Sequence, residues 1–214
     1  MEWYEAEVRA LEAAIRGRRT PGNVVAFYGS SSIRLWTDLV ADLKDPRAFN
    51  LGFGGSTMAA CAHFFDRLVP ALHPVSLVLY AGDNDLGDGR SPEDVLASFR
   101  SLVGKLQRSL PRIPLGFMSI KISPARFVLR DRIQRTNALI RAELERRSDY
   151  FYIDIVAAML DSDGRPRPEL FLEDGLHLSR AGYQVWTRVL EPYRNQIFIP
   201  QSQEISTPKL SFAR

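Results

Sequence analysis

Five short runs of apolar and β-branched residues, at positions 24–28, 48–51, 76–80, 115–120 and 150–155, are separated by longer stretches with helical periodicity. Strand, helix, strand repetition of this kind calls for parallel strands joined by crossover helices, because parallel neighbours cannot be linked by a tight turn. The runs are apolar throughout instead of alternating, which is the pattern of strands covered on both faces. The expected fold is therefore α/β, a three-layer α/β/α sandwich around a five-stranded parallel sheet.

Several of the intervening helices have readable ends. Ser91-Pro92-Glu93-Asp94 supplies an N-cap, a proline at the first helical position and acidic residues in the first turn. Val95, Leu96, Phe99, Leu102, Val103 and Leu106 then mark one face, and the helix should end near Leu110, before Pro111. Ser123-Pro124 opens another in the same way, with Phe127, Ile133, Leu139 or Ile140, and Leu144 inward and a stripe of arginines outward. Acidic partners four positions away, Asp131 to Arg135 and Glu143 to Arg147, are expected to pair with that stripe. An amphipathic helix is expected over about 2–17 and a last helix over about 179–193, followed by an extended tail over 199–214. Neither a repeat nor a low-complexity linker divides the chain, so residues 1–214 are expected to form one domain.

Composition excludes several classes. With 45% hydrophobic and 25% charged residues the chain has the mix of a folded globular protein, and its single cysteine, Cys61, rules out an intrachain disulfide. The net charge of +3 is modest and comes with no nucleic-acid motif, so a nucleic-acid partner is not expected. No run approaches the roughly 18 apolar residues of a membrane span, and the N-terminus lacks the apolar core of a secretory signal, so a cytoplasmic protein without a membrane partner is expected. The oligomeric state is not legible.

In an open parallel sheet, ligands bind beyond the carboxyl ends of the strands. The segments there are Gly29-Ser30-Ser31-Ser32, Gly52-Phe53-Gly54-Gly55-Ser56 and Gly82-Asp83-Asn84-Asp85, with Asp174-Gly175-Leu176-His177 after the last strand and a loop. Each residue alone has a plain structural explanation. The serines could cap a helix, the glycines allow a tight turn, Asn84 and Asp85 bond their own backbone, and His177 and Asp174 be ordinary loop residues. Together they supply what acyl transfer requires: a hydroxyl nucleophile, an imidazole to take its proton, a carboxylate to orient the imidazole, and donors for an oxyanion. Other chemistries fit poorly. The glycine cluster follows the second strand and lacks the dinucleotide spacing, no phosphate loop is present, and Cys61, His63 and His73, the latter two expected on helices, lack zinc-site spacing.

These segments resemble the conserved blocks of the SGNH (GDSL-type) hydrolase superfamily, over about 24–183. Tyr28-Gly29-Ser30-Ser31-Ser32-Ile33 is similar to the first block, which implies Ser31 as nucleophile. Ser30 stands where the family usually has aspartate, as in a branch with a Gly-Ser-Ser-Ser-Ile-Arg-Leu-Trp run, and leaves Ser30 and Ser32 as fallbacks. The resemblance implies Gly55 and Asn84, with the Ser31 amide, as the oxyanion hole, and Asp174 and His177 as the rest of the triad. It also implies the flavodoxin-like strand order 2-1-3-4-5. The expected activity is hydrolysis of small or polar carboxylic esters through an acyl-enzyme on Ser31, with no metal or organic cofactor. An acyltransferase on the same triad and a non-catalytic binding subunit are the alternatives. Lys121, just after the fourth strand, is expected at the rim of the crevice, where its charge would attract a polar or anionic substrate group, unless it pairs with an acid such as Asp85.

Overall fold

Every residue of the first strand, Val24–Gly29 (β1), is buried, yet its side chains divide by parity. Val24, Ala26 and Tyr28 enter one apolar cluster, and Val25 and Phe27 enter another. Leu77 and Leu79 against Val78 and Tyr80 repeat the division in the third strand. A period of two with no polar member is what a strand between two helical layers must have, because successive side chains point to opposite faces.

The computed structural model describes residues 1–18 and 23–199. After a 3₁₀ turn at Glu2–Tyr4 come α1 (Glu5–Arg16), β1, the short α2 (Ser31–Arg34) and α3 (Leu39–Leu43), and β2 (Ala48–Gly52). The chain continues with α4 (Met58–Leu72), β3 (Pro74–Tyr80), α5 (Asp83–Gly87), α6 (Pro92–Ser109) and β4 (Leu115–Met118). A second 3₁₀ segment, Pro124–Leu129, leads to α7 (Arg130–Leu144), β5 (Tyr150–Ile153), α8 (Val156–Met159), α9 (Arg180–Leu190) and α10 (Arg194–Ile197). All strand pairs are parallel and the order is β2-β1-β3-β4-β5. One face carries α1, α4, α6 and α7, and the other carries α3, α8 and α9. This is the expected α/β sandwich.

Local chemistry sets the boundaries. Ser91 and Asp94 form a reciprocal capping box at the start of α6, with Pro92 at its first position. Where one helix was expected from Pro124, a 3₁₀ segment comes first and Arg126 (φ −118°, ψ 20°) leaves helical geometry, so that α7 begins at Arg130. The strands expected over 115–120 and 150–155 stop two residues early, at Met118 and Ile153. His63 lies in α4 as expected, but His73 ends it in the left-handed conformation (φ 49°). The expected pairs give way to other partners: Arg135 bonds Glu93 and Glu143 bonds Arg100, both on α6, while Arg147, beyond the end of α7, bonds Asp149 in the same loop. The helix expected over 179–193 ends at Leu190 and continues as a 3₁₀ turn, Glu191–Tyr193. All but the first residue of the tail expected over 199–214 lies outside the described residues.

Candidate active site

Gly29 ends β1 with φ +146°, and a side chain there would collide with the Tyr80 carbonyl of the neighbouring strand. The chain can therefore turn sharply into α2, which places Ser31 on its first turn. Ser30 and Ser32 are buried, whereas Ser31 is half-buried. Among the three serines, Ser31 is the one that reaches the histidine: its Oγ lies 3.0 Å from His177 Nε2.

His177 arrives from a loop held at both ends. The Leu172 amide donates to the His177 carbonyl at 2.8 Å, the Ser179 amide to the Leu170 carbonyl, and the Ala125 amide to the Gly175 carbonyl at 3.0 Å. Within the loop, Asp174 Oδ1 accepts the Leu176 and His177 amides at 2.8 and 2.9 Å, while Oδ2 stands 2.6 Å from His177 Nδ1. Partial desolvation works against ionisation of Asp174, but the bonds from the His177 ring and the two amides outweigh it and hold the carboxyl at about 2. A carboxylate fixed in this way selects the imidazole tautomer with the proton on Nδ1, leaving Nε2 to accept from the serine. The three residues thus form one continuous hydrogen-bonded run across 146 positions of sequence.

The expected oxyanion residues follow adjacent strand ends, since Gly29 pairs in register with both Gly52 and Tyr80. Gly55 adopts φ +65°, a conformation that only glycine takes at little cost. Asn84 Nδ2 donates to the Ser56 carbonyl at 3.0 Å, tying its loop to the residue after Gly55, and its Oδ1 accepts from Arg126 at 3.0 Å. Asp85 joins the same loops by accepting the Met58 amide at 2.7 Å, and burial pushes its carboxyl up. Asn50 ties β2 to the nucleophile turn, donating to the Ile33 carbonyl at 2.6 Å and accepting the Gly52 amide at 2.9 Å.

Lys121 requires a correction. Instead of standing at the rim it is 1% exposed, with Nζ 2.5 Å from Asp83 Oδ2, 3.1 Å from the Tyr80 hydroxyl and 3.3 Å from Ser32 Oγ. Its acidic partner is Asp83, not Asp85, and Arg126 bonds the other Asp83 oxygen. The cause is the alternation beyond β4. Ile120 and Ile122 enter the core cluster beside α7, which turns Lys121 back toward β3, where a buried ammonium is stable only against a carboxylate. Lys121 is a structural ion pair behind the nucleophile turn.

Three residues at the site have no counterpart in the sequence reading. Arg126 holds Asn84, Tyr4 donates its hydroxyl to the Gly55 carbonyl at 3.1 Å, and Glu7 accepts the Gly54 amide at 2.9 Å. Extending the strand-end rule through Ser123-Pro124-Ala125-Arg126 would have reached Arg126, but nothing local marks Tyr4 or Glu7. Cys61 is no rival nucleophile, because it is fully buried and burial pushes its thiol up. Among the described residues no three His, Cys, Asp or Glu side chains cluster as a metal site, and no helix is long and apolar enough to cross a membrane.

Comparison with known proteins bears on the same arrangement. Residues 7–185 match the model of the GDSL-like lipase/acylhydrolase family. Platelet-activating factor acetylhydrolase IB subunit alpha1 of Bos taurus is 28% identical over 177 residues, covering 78% of this chain and 72% of that protein. The fold is shared with a GDSL-like lipase from Bacteroides thetaiotaomicron (TM-score 0.72, 18% identity, 87% of this chain and 96% of that one). It is shared also with a variant of a Geobacillus acetyl-xylooligosaccharide esterase (TM-score 0.67, 17% identity, 86% and 97%). With the family model spanning most of its length, the chain belongs to the GDSL-like lipase/acylhydrolase family.

Proposed function

We propose that the chain hydrolyses carboxylic esters of short acyl groups through an acyl-enzyme on Ser31. The observation that carries this reading is the unbroken run from Ser31 Oγ through His177 to Asp174, at 3.0 and 2.6 Å. Ser31 Oγ attacks the ester carbonyl while His177 Nε2 takes its proton, and the resulting imidazolium is stabilised by Asp174. The negative charge that develops on the carbonyl oxygen is received by the Ser31 and Gly55 amides and the Asn84 side-chain amide. Collapse of the tetrahedral intermediate expels the alcohol, which takes the proton from His177. A water molecule, deprotonated by the same Nε2, then attacks the acyl-serine and releases the acid.

The short acyl group is supported by the names of the acetylhydrolase and acetyl-xylooligosaccharide esterase to which the chain is similar. The test is a panel of p-nitrophenyl esters of increasing acyl length together with acetylated sugars, and covalent labelling by a fluorophosphonate. Acetate and propionate esters should turn over fastest, and labelling should disappear in Ser31→Ala. A wild-type chain that neither labels nor turns over any ester in the panel would overturn the hydrolase in favour of a binding subunit. Acyl transfer to an added alcohol in preference to water would make it a transferase.

A further inference from the structure

An oxyanion donor lowers a barrier only if it is held where the charge will develop, since a donor that must be reoriented during the reaction gives back what it contributes. By that standard the Gly54–Gly55 peptide is a weak point. Two consecutive glycines have unusual backbone freedom, and Gly55 sits at φ +65°. Among the described residues its amide has no hydrogen-bond acceptor. The flanking groups are held instead. The Gly54 amide donates to Glu7 Oε2 at 2.9 Å, the Gly55 carbonyl accepts from the Tyr4 hydroxyl at 3.1 Å, and the Ser56 carbonyl accepts from Asn84 at 3.0 Å. The Gly54–Gly55 peptide is therefore bracketed on both sides, and two of its three anchors come from the N-terminal segment.

That segment is itself well seated. The Tyr4 ring packs edge-on against Phe53 and Phe64, with centroids 5.5 and 6.1 Å away, so its hydroxyl reaches the loop from a fixed base. Val8 of α1 is fully buried in the core beside α4. The Glu7 carboxylate also lies 3.6 Å from Arg34, which closes α2, so one side chain links the donor loop to the nucleophile's own helix. Trp3, 82% exposed, stands beside Gly55. Tyr4 lies just outside the stretch that matches the family model, and Glu7 is its first residue.

We infer that Tyr4 and Glu7 are positioning residues for the Gly55 oxyanion donor, so that the N-terminal segment sets the rate of acyl transfer without touching the reacting atoms. This rests on the hydrolase reading above. The experiment compares wild type, Tyr4→Phe, Glu7→Ala, their double variant and Glu7→Gln as full chains. It records the rate of Ser31 modification by a fluorophosphonate, whose phosphoryl oxygen occupies the oxyanion hole, kcat and KM for p-nitrophenyl acetate, and Tm.

The double variant should lose roughly ten- to a hundredfold in modification rate and kcat with KM nearly unchanged, less than the roughly hundred- to thousandfold of deleting a donor outright. Glu7→Gln, which keeps an oxygen for the Gly54 amide and loses only the ion pair, should retain most of the rate, a rescue that a purely structural role would not produce. Wild-type rates in the folded double variant would overturn the inference, as would a loss tracking the unfolded fraction or one lying wholly in KM. A wild-type chain that does not label at all would fail earlier and overturn the hydrolase reading itself.

Discussion

Two runs of charge-assisted hydrogen bonds meet at the nucleophile turn, one on each side of Ser31 and Ser32. In the first, Ser31, His177 and Asp174 are joined at 3.0 and 2.6 Å, and the histidine and aspartate side chains are 26% and 47% exposed. In the second, Ser32, Lys121 and Asp83 are joined at 3.3 and 2.5 Å, and the lysine and aspartate side chains are 1% and 6% exposed. Bond lengths do not separate the run proposed to react from the one that only holds the fold. Exposure does: the first run is open to water, whereas the second is sealed in the core, where the ammonium is held only as the partner of a carboxylate. The inert run is the footing of the reactive one, since Asp83 precedes Asn84 and shares Arg126 with it.

The comparison predicts that changes in the two runs have opposite consequences. Ser31→Ala or His177→Ala should lower turnover of a short-chain ester by roughly a thousandfold or more, while Tm stays within about two degrees of wild type, because no buried polar group loses its partner. Kinetics and thermal melts on the same samples check both halves. A large drop in Tm would show that the triad also bears structural load. Lys121→Met should do the reverse and cost about 3–5 kcal/mol of stability, the usual range for breaking a buried pair from one side. Urea titration measures it, and a loss below about 1 kcal/mol would show that Arg126 satisfies Asp83 unaided.

Between these extremes stands Asn84, which bonds Ser56 and Arg126 and is the proposed side-chain donor to the oxyanion. Asn84→Ala should lower kcat about a hundred- to a thousandfold, with KM little changed, because the donor acts on charge present only in the transition state. An equal loss in KM would move Asn84 to ground-state binding.

The strands and the four loop segments were legible because their signals are local. An all-apolar run such as Val24 to Tyr28 can only be a buried strand, and small polar residues directly after it mark the crevice. Residue type, strand-end position and the family resemblance singled out Ser31, Asp174 and His177, and the structure brings the three side chains within hydrogen-bond distance. Lys121 was misplaced because its partner lies 38 positions earlier and nothing between them shows that Ile120 and Ile122 would win the core. Arg135 shows the same limit: Asp131 is four positions away, yet the arginine bonds Glu93, 42 positions off, because packing brings α6 and α7 side by side. Tyr4 and Glu7 reach across 51 and 47 positions to backbone atoms, and a backbone partner leaves no trace in residue identity.

The smallest expected effect separates charge from packing within the buried run. Burial pushes Asp83 up, but Lys121 and Arg126 outweigh it, so its carboxyl titrates below the usual carboxylate range; burial pushes Lys121 down, but Asp83 outweighs it, and the ammonium titrates above its ordinary value. A depressed carboxyl contributes stability that is present above its unfolded value, about 3.9, and is lost as pH falls through the folded one. A raised lysine contributes stability that is present below about 10.4 and is lost as pH rises through its folded value. From about pH 4 to 10 the wild-type pair therefore adds no pH dependence. Removing the ammonium in Lys121→Met leaves burial opposed by Arg126 and the Tyr80 hydroxyl without the lysine's charge, so the Asp83 carboxyl must rise relative to wild type. Over the interval between the two values the folded variant binds a proton that folded wild type does not, and the stability difference between them must shrink on acidification by about 1.4 kcal/mol for each unit of rise. Urea titrations of both proteins at pH 7.5, 4.5 and 3.5 follow the gap into that interval. A gap that shrinks as pH falls assigns the cost of Lys121→Met to an uncompensated carboxylate, and a constant gap assigns it to the lost packing of the buried lysine side chain.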